Sequence, residues 1–446
     1  MTVTSKQENE GFQVKILITN TMMLNSGDAA ILLALVNILR NIFGKNANIV
    51  IFDGQPDIAR RYYPNLIFRK LVYWGIREHK DIKYFKPMRQ YLSMLSFRIG
   101  ARFWNTRLRF ISKLFLNEKF LQYLKEYGSS DMVITTGGTY LVENYLLEPR
   151  IFDYKVSLSM GIPLIFFTQS LGPFSIRSNR KSLKRIFEKS ALILLRDKKS
   201  HDNILELGVN NANIHISADA AFALADASAI EATMNLGTTP FPIHKIAISV
   251  RDWKYFKTIS PDIGQKKYLD AMCALSTHIV EKYNVEITYI STCQGIPEYR
   301  YDDSKVALQV YEMLPSTISD SIIVDKKHYS PTDLMSELKK YDIVISTRLH
   351  MAILALGVGI PVFPIAYEFK TQELFTNLGL GRWIQDIEDI CAESLISLVD
   401  SFIDSIPNIR NKLFHAVERE RKSALMSGNM IKKAYEQWQN NYTCSM

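Results

Sequence analysis

Short apolar runs rich in Val, Ile and Phe alternate along the chain with longer stretches of helical period, the pattern that builds a parallel sheet covered on both faces. Two such arrays are legible. The first predicts strands at Val14–Asn20, Ile49–Phe52, Met132–Thr136, Leu164–Thr168, Leu192–Leu195 and Ile214–Ser217. The second predicts them at Ile246–Val250, Glu286–Ser291, Ile322–Val324, Ile343–Ser346 and Val362–Ile365. Between the arrays, Gly237-Thr238-Thr239-Pro240-Phe241-Pro242 has the composition of a linker. The expected fold class is α/β, with two Rossmann-like doubly wound domains facing a cleft. The N-terminal domain is expected over 1–236 and the C-terminal domain over 243–408. A helical segment over 409–446, clearest from about Ile409 to Tyr442, is placed to pack back on the first domain.

A helical insertion at about 80–126 interrupts the first array. Between Ile82 and Asn117 stand eight basic residues, eight aromatics and no acid. Tyr91, Leu95, Ile99 and Phe103 step by four, as do Trp104 and Leu108, then Ile111 and Phe115, while Arg98, Arg102, Arg109 and Lys113 lie close together on one side. The stripe changes face between Phe103 and Trp104, so a kinked helix or two helices are expected. Cations beside rings suit an anionic membrane surface. The alternative is a stripe packed on the first domain with the cations solvated. Single-stranded nucleic acid has similar tastes, but no RNA- or DNA-binding motif accompanies the segment, and no nucleic-acid partner is expected.

Composition narrows the field. The 446 residues are 47% apolar and 22% charged, which excludes a disordered, collagen-like or disulfide-scaffold chain. Lys and Arg number 54 against 45 acids, a balance of 54 − 45 = +9 that favours anionic partners. Cys273, Cys293, Cys391 and Cys444 form no C-x-x-C pair, so free thiols and a reducing compartment are expected and a zinc site is not. The polar start lacks a signal-peptide run, and no stretch reads as the eighteen or so apolar residues needed to cross a bilayer. The expected location is cytoplasmic.

In doubly wound sheets ligands sit beyond the carboxyl ends of the strands. Four junctions carry candidate residues. At Asn25-Ser26-Gly27-Asp28, Asp28 either caps the following helix or accepts hydrogen bonds from hydroxyls of a neutral ligand such as a sugar. At Thr135-Thr136-Gly137-Gly138, the paired glycines either bring backbone amides close to a ligand or only make a tight turn. Gln169, in Thr168-Gln169-Ser170-Leu171-Gly172-Pro173, stands where it can hydrogen-bond a hydroxylated substrate. The fourth is the strongest: after Ile343–Ser346 come Arg348, Leu349 and His350, then an apolar helix. There Arg348 can fork onto a carboxylate or phosphate and His350 can move a proton near neutral pH. As an alternative, Arg348 pairs with Asp342 or Asp197 and His350 caps the turn. Arg251 closes the strand Ile246–Val250 and Lys370 follows Val362–Ile365; each is otherwise a solvated surface cation. Three strand ends would thus bring Arg251, Arg348, His350 and Lys370 to one rim, a pocket for a small, multiply charged anion. No Walker A, H-E-x-x-H, G-x-S-x-G or EF-hand pattern is present.

These pieces, taken in order, resemble the polysaccharide pyruvyl transferases. The matching segments are Asn25 to Asp28, Thr136 to Gly138, Ser170-Leu171-Gly172-Pro173-Phe174, Leu195-Arg196-Asp197 with Ser200, Ala218-Asp219-Ala220-Ala221-Phe222, Arg348 to His350, Gly359-Ile360-Pro361, and Tyr367 with Lys370. Two positions depart from the family pattern: Thr139 stands where a third glycine is common, and Ala29 where an acid often follows. The resemblance implies a fold similar to GT-B glycosyltransferases, with phosphoenolpyruvate (PEP) as donor held by Arg251, Arg348, Leu349, His350 and Lys370. His350 and Arg348 would be catalytic. Asn25, Asp28, Gly137, Gly138 and Gln169 would orient a sugar acceptor, and the product would be a pyruvate ketal on a bacterial surface polysaccharide or its lipid-linked repeat unit. This chemistry needs no redox cofactor, and no ligand cluster asks for a metal. A polyprenyl-diphosphate-linked acceptor would place the enzyme peripherally at the inner membrane. The rival readings are a GT-B nucleotide-sugar glycosyltransferase and a non-catalytic binding subunit.

Overall fold

The computed structural model describes residues 13–77, 86–240 and 242–443; the polar start, Lys83, Phe241 and Cys444 lie outside them. The first sheet holds β1 (Lys15–Thr21), β2 (Asn48–Asp53), β3 (Ile67–Lys70), β4 (Met132–Thr135), β5 (Gly138–Leu141), β6 (Leu164–Leu171), β7 (Leu192–Leu195) and β8 (Ile214–Ile216). They lie in the order β3-β2-β1-β4-β6-β7-β8, with β5 joined to β6. The second holds β9 (Lys245–Ser249), β10 (Glu286–Tyr289), β11 (Ile322–Val324), β12 (Ile343–Ser346), β13 (Val362–Ala366) and β14 (Gln385–Asp386), in the order β11-β10-β9-β12-β13-β14. Every strand pair is parallel, and the strands read as nearly unbroken apolar runs because helices bury both faces. Strand order reverses between β1 and β4 and again between β9 and β12. Those two switch points mark where a ligand crevice opens.

The Ser26–Phe43 helix is capped by Asn25, whose side chain accepts from Gly27 N–H at 2.9 Å. By length and composition this helix could cross a membrane, which the residue pattern alone did not single out. Most of it is instead buried, packed against the Leu349–Leu356 helix of the second domain and the closing helix of the chain. One apolar core therefore runs through both domains.

The closing helix, legible from Ile409, begins earlier, at Ala392, and runs to Thr443. Its first part sits on the second domain, where Asp400 meets His278 and Lys282 and Phe402 packs on Phe363 and Trp383. Its last part sits on the first domain, with Gly428 against Ile38 and Ile42 and Tyr435 edge-on to Phe43. Midway, the guanidinium of Arg410, 1% exposed, donates to the carbonyls of Leu236, Gly237 and Thr239 and so ties the helix to the linker.

Asp153 is a buried acid of the first domain. Burial pushes its carboxyl up to about 8, against the opposing pull of the Tyr73 N–H and the Arg150 guanidinium. Unfolded, it titrates near 3.9. Between these values the folded chain holds a proton that the unfolded chain has released, so stability is full below about pH 4 and falls as pH rises toward 8. A melting series from pH 5 to 8 should show this decline, and Asp153→Asn should flatten it; an unchanged slope would place the titration elsewhere.

Candidate active site

Since β9, β12 and β13 are neighbours, their carboxyl ends share one rim. Arg348 occupies the N-cap position of the Leu349–Leu356 helix in extended backbone, with its N–H on Ser346 Oγ at 3.1 Å. Its guanidinium forks onto Asp303, Nε at 2.8 Å and Nη2 at 2.5 Å, and Asp303 also accepts from Ser291 at 2.6 Å. The internal partner is thus neither Asp342 nor Asp197. Asp342 accepts from His244 and Lys245 N–H groups, and Asp197 caps the Lys198–Glu206 helix. Burial alone would lower the Arg348 pKa, but the carboxylate of Asp303 overrides it and raises it well above the usual value. The Leu349 side chain belongs to the core, which leaves its backbone N–H as the group a ligand can use. Lys370 lies 2.6 Å from Glu368 and donates to Thr139 Oγ1 in the first domain at 3.1 Å. The Arg251 guanidinium lies over the rings of Tyr367 and Trp253, at 4.1 and 5.0 Å. Among the described residues no carboxylate pairs with it. Of the four cationic candidates on the rim, Arg348, His350 and Lys370 each stand within ion-pair distance of an acid, and among the described residues Arg251 does not.

A fifth cation comes from the other domain. Arg196, directly after β7 and 5% exposed, donates from Nε to Ser170 at 2.7 Å, from Nη1 to Asp219 at 2.5 Å and from Nη2 to Thr139 at 2.8 Å. Asp219 caps the turn Ala220–Leu224 and stands 3.5 Å from His350 Nε2, which has no hydrogen bond within the chain. Burial would raise Asp219, yet Arg196 and then His350 outweigh it and hold the carboxyl well below the ordinary range. Thr139, one of the departures from the family pattern, therefore joins the two domains by accepting from both Arg196 and Lys370. Asp219 and Arg196 were not among the residues picked from the sequence as site residues, although both lie in segments that carry the resemblance.

His350 also touches the opposite helix end. A Cβ on Gly27 would lie 2.8 Å from both Cβ and Nδ1 of His350, so only glycine lets the start of the Ser26–Phe43 helix approach the imidazole. The next residue is Asp28, half-buried. It does not cap the helix, since Asn25 does. Burial raises its pKa, opposed by His350, the nearby Tyr140 hydroxyl, Arg196 and Lys370 in turn. Glu368 moves the other way: against burial, Lys370, Arg251 and Arg196 keep it low. An acid that holds its proton more readily than usual thus faces an imidazole whose Nε2 is unpartnered.

The remaining acceptor-side candidates are more internal than the residue pattern implies. Asn25 uses its side-chain oxygen in the cap and is bonded by Tyr299. At Gly137 a Cβ would meet Thr168 Oγ1 at 2.5 Å and Ile31 at 2.8 Å, so close packing inside the sheet requires glycine there; Gly138, at φ +134°, opens β5 beside Tyr140. Gln169 is fully buried within β6, not at its end, and its amide donates to the carbonyl of Thr136. It supports the loop instead of reaching the cleft. Among the described residues no group of three or more His, Cys, Asp or Glu is placed to hold a metal ion.

A family model described as polysaccharide pyruvyl transferase matches residues 25–368, more than half of the chain. The chain belongs to this family. Every rim residue except Lys370 falls inside the matched span, and Lys370 follows two positions after it. The amylovoran biosynthesis protein AmsJ of Erwinia amylovora is 26% identical over 309 residues, covering 68% of this chain and 72% of that protein. Among solved structures, the UDP-GlcNAc 2-epimerase of Methanocaldococcus jannaschii superposes with a TM-score of 0.55 at 13% identity, over 95% of this chain and all of that one. The enzyme of Neisseria meningitidis bound to UDP-GlcNAc gives 0.54 at 11% identity, over 94% of this chain and all of that one. At such identities the likeness is one of fold: two α/β domains of GT-B type.

Proposed function

We propose that this pyruvyl transferase moves a pyruvyl group from PEP to two hydroxyls of one sugar in a bacterial exopolysaccharide, or in its lipid-linked repeat unit, working in the cytoplasm at the inner membrane face. The observation that carries the reading is the meeting of Arg251, free of any internal carboxylate partner among the described residues, with Arg348 and with His350, whose Nε2 is unpartnered. PEP offers a carboxylate and a phosphate on a three-carbon frame, and two guanidinium groups match those two ends. The name of AmsJ, an amylovoran biosynthesis protein, supports the polysaccharide setting.

The step balances without a redox partner. Protonation of the PEP methylene carbon makes a methyl group and leaves a cation at the adjacent carbon. One sugar hydroxyl adds there, phosphate departs, and a second hydroxyl closes the ketal. Two hydroxyl protons are released; one replaces the proton given to carbon and the other leaves with phosphate. His350, set against the Asp219 carboxylate, is the proton donor in this reading, with Lys370 in reserve. Arg251 and Arg348 neutralise the departing phosphate. Asp28, across the gap, accepts a hydrogen bond from the attacking hydroxyl.

Purified protein incubated with PEP and glycan from cells lacking the gene should release phosphate and add the mass of one ketal-linked pyruvate to the glycan. Nucleotide release from a UDP-sugar, with PEP unconsumed, would instead establish the glycosyltransferase reading.

A further inference from the structure

The basic part of the insertion is two helices, Lys86–Trp104 and Arg109–Phe115, with the break just past Trp104 where the stripe changes face. At 3.6 residues per turn, Met94, Phe97, Ala101 and Trp104 share one side of the first helix, and Met88, Tyr91, Leu92, Leu95 and Ile99 share the opposite side. The former side packs into the first domain, where Phe97 is fully buried and Trp104 lies on Gly128. The latter side, which includes the stripe legible in the sequence, faces outward: Tyr91 is 67% exposed and Leu92, Leu95 and Ile99 are exposed beside it. Phe110 and Leu114, the latter 74% exposed, continue the apolar surface on the second helix. A helix with one apolar side against its domain and a second in water is missing a partner.

The charges around that surface indicate which partner. Arg98, Arg102, Arg107 and Lys113 are all exposed, and the sequence places no acid from 82 to 117. The first helix also borders a cavity of about 360 Å³ whose lining includes Arg77, Arg98 and Lys155 against a single acid, Glu148, so positive charge continues from the surface into a recess. A protein interface excludes charge from its apolar centre, and a second copy of this chain would bring like charges together. Nucleic acid stacks on rings, whereas this surface is mostly aliphatic. An anionic bilayer accepts both parts at once: aliphatic side chains enter the acyl boundary while guanidinium and ammonium groups stay with the phosphates.

We infer that the outer face of the Lys86–Trp104 and Arg109–Phe115 helices docks this protein on an anionic phospholipid bilayer. The inference rests on the membrane setting proposed above and not on the chemistry of pyruvyl transfer. Flotation of the full chain with vesicles of equal parts phosphatidylcholine and phosphatidylglycerol, and with phosphatidylcholine alone, tests it. Binding is expected to the mixed vesicles and to be far weaker to the neutral ones. At about fivefold per cation, replacing Arg98, Arg102, Arg107 and Lys113 together by alanine should weaken binding by roughly several hundredfold. Leu92→Ser with Leu95→Ser should lower binding by lost insertion at unchanged charge. These positions are exposed, so the melting temperature and PEP-dependent phosphate release on a short soluble acceptor should hold in both variants. Absence of flotation by the unaltered chain, equal binding to both vesicle types, or a concentration-dependent dimer abolished by Leu92→Ser with Leu95→Ser in the absence of vesicle binding would each overturn the inference. Loss of transfer with vesicle binding intact would count against the catalytic reading alone.

Discussion

His350→Gln should lower the rate of pyruvyl transfer by about 10²–10⁴-fold, the range over which a positioned acid or base acts, with a much smaller change in the KM for PEP. Glutamine keeps a polar side chain of similar reach against Gly27, where there is no room for a larger group, but its amide cannot deliver a proton to carbon. Asp219, 3.5 Å from Nε2, holds the imidazole where it can deliver that proton. Steady-state rates decide the matter: if turnover survives the substitution, the proton comes from elsewhere and Lys370 is the next residue to change.

Arg196→Met is expected to be costly in a different way. The guanidinium is enclosed and bonded to Ser170, Asp219 and Thr139 at once. Removing it strands the carboxylate of Asp219 in a buried site, and breaking a buried ion pair from one side typically costs about 3–5 kcal/mol. Stability to denaturant should drop by that order and transfer should fall with it. The double variant Arg196→Met with Asp219→Asn removes the stranded charge as well, so it should recover much of the stability. It should not recover activity, because His350 then loses the carboxylate it stands against. Recovery of both together would show that the pair is structural scaffolding without influence on the imidazole.

The signal that points to Arg251 and Arg348, a cation directly after an apolar strand, is equally present at Arg196 after Leu192–Leu195. It was legible, and the assumption that all donor cations come from one sheet hid it. Asp303 gave no comparable sign: it lies in the first turn of a helix beyond a long loop, and only the folding of that loop over the ends of β9 and β12 brings it under Arg348. Gln169 misled because β6 runs to Leu171, three residues past the strand end read from hydrophobicity; the extra polar positions are enclosed by β5, a strand too short to show a period of its own. In the insertion, apolar residues lie on opposite sides of one helix. Periodicity finds both sides and cannot rank them, so the stripe at Tyr91, Leu95 and Ile99 fits a membrane surface or a domain core equally, and only the structure shows Phe97, Ala101 and Trp104 in the core.

By itself the amino-acid sequence determined the class of architecture, the number of sheets and the family, because strand runs, helical period and ordered motifs are local properties of the chain. Which carboxylate meets which cation, which side of the inserted helix stays wet and which amide is walled in were decided only by tertiary structure. Such pairings depend on distances between segments tens or hundreds of residues apart, and a one-dimensional pattern carries no measure of those distances.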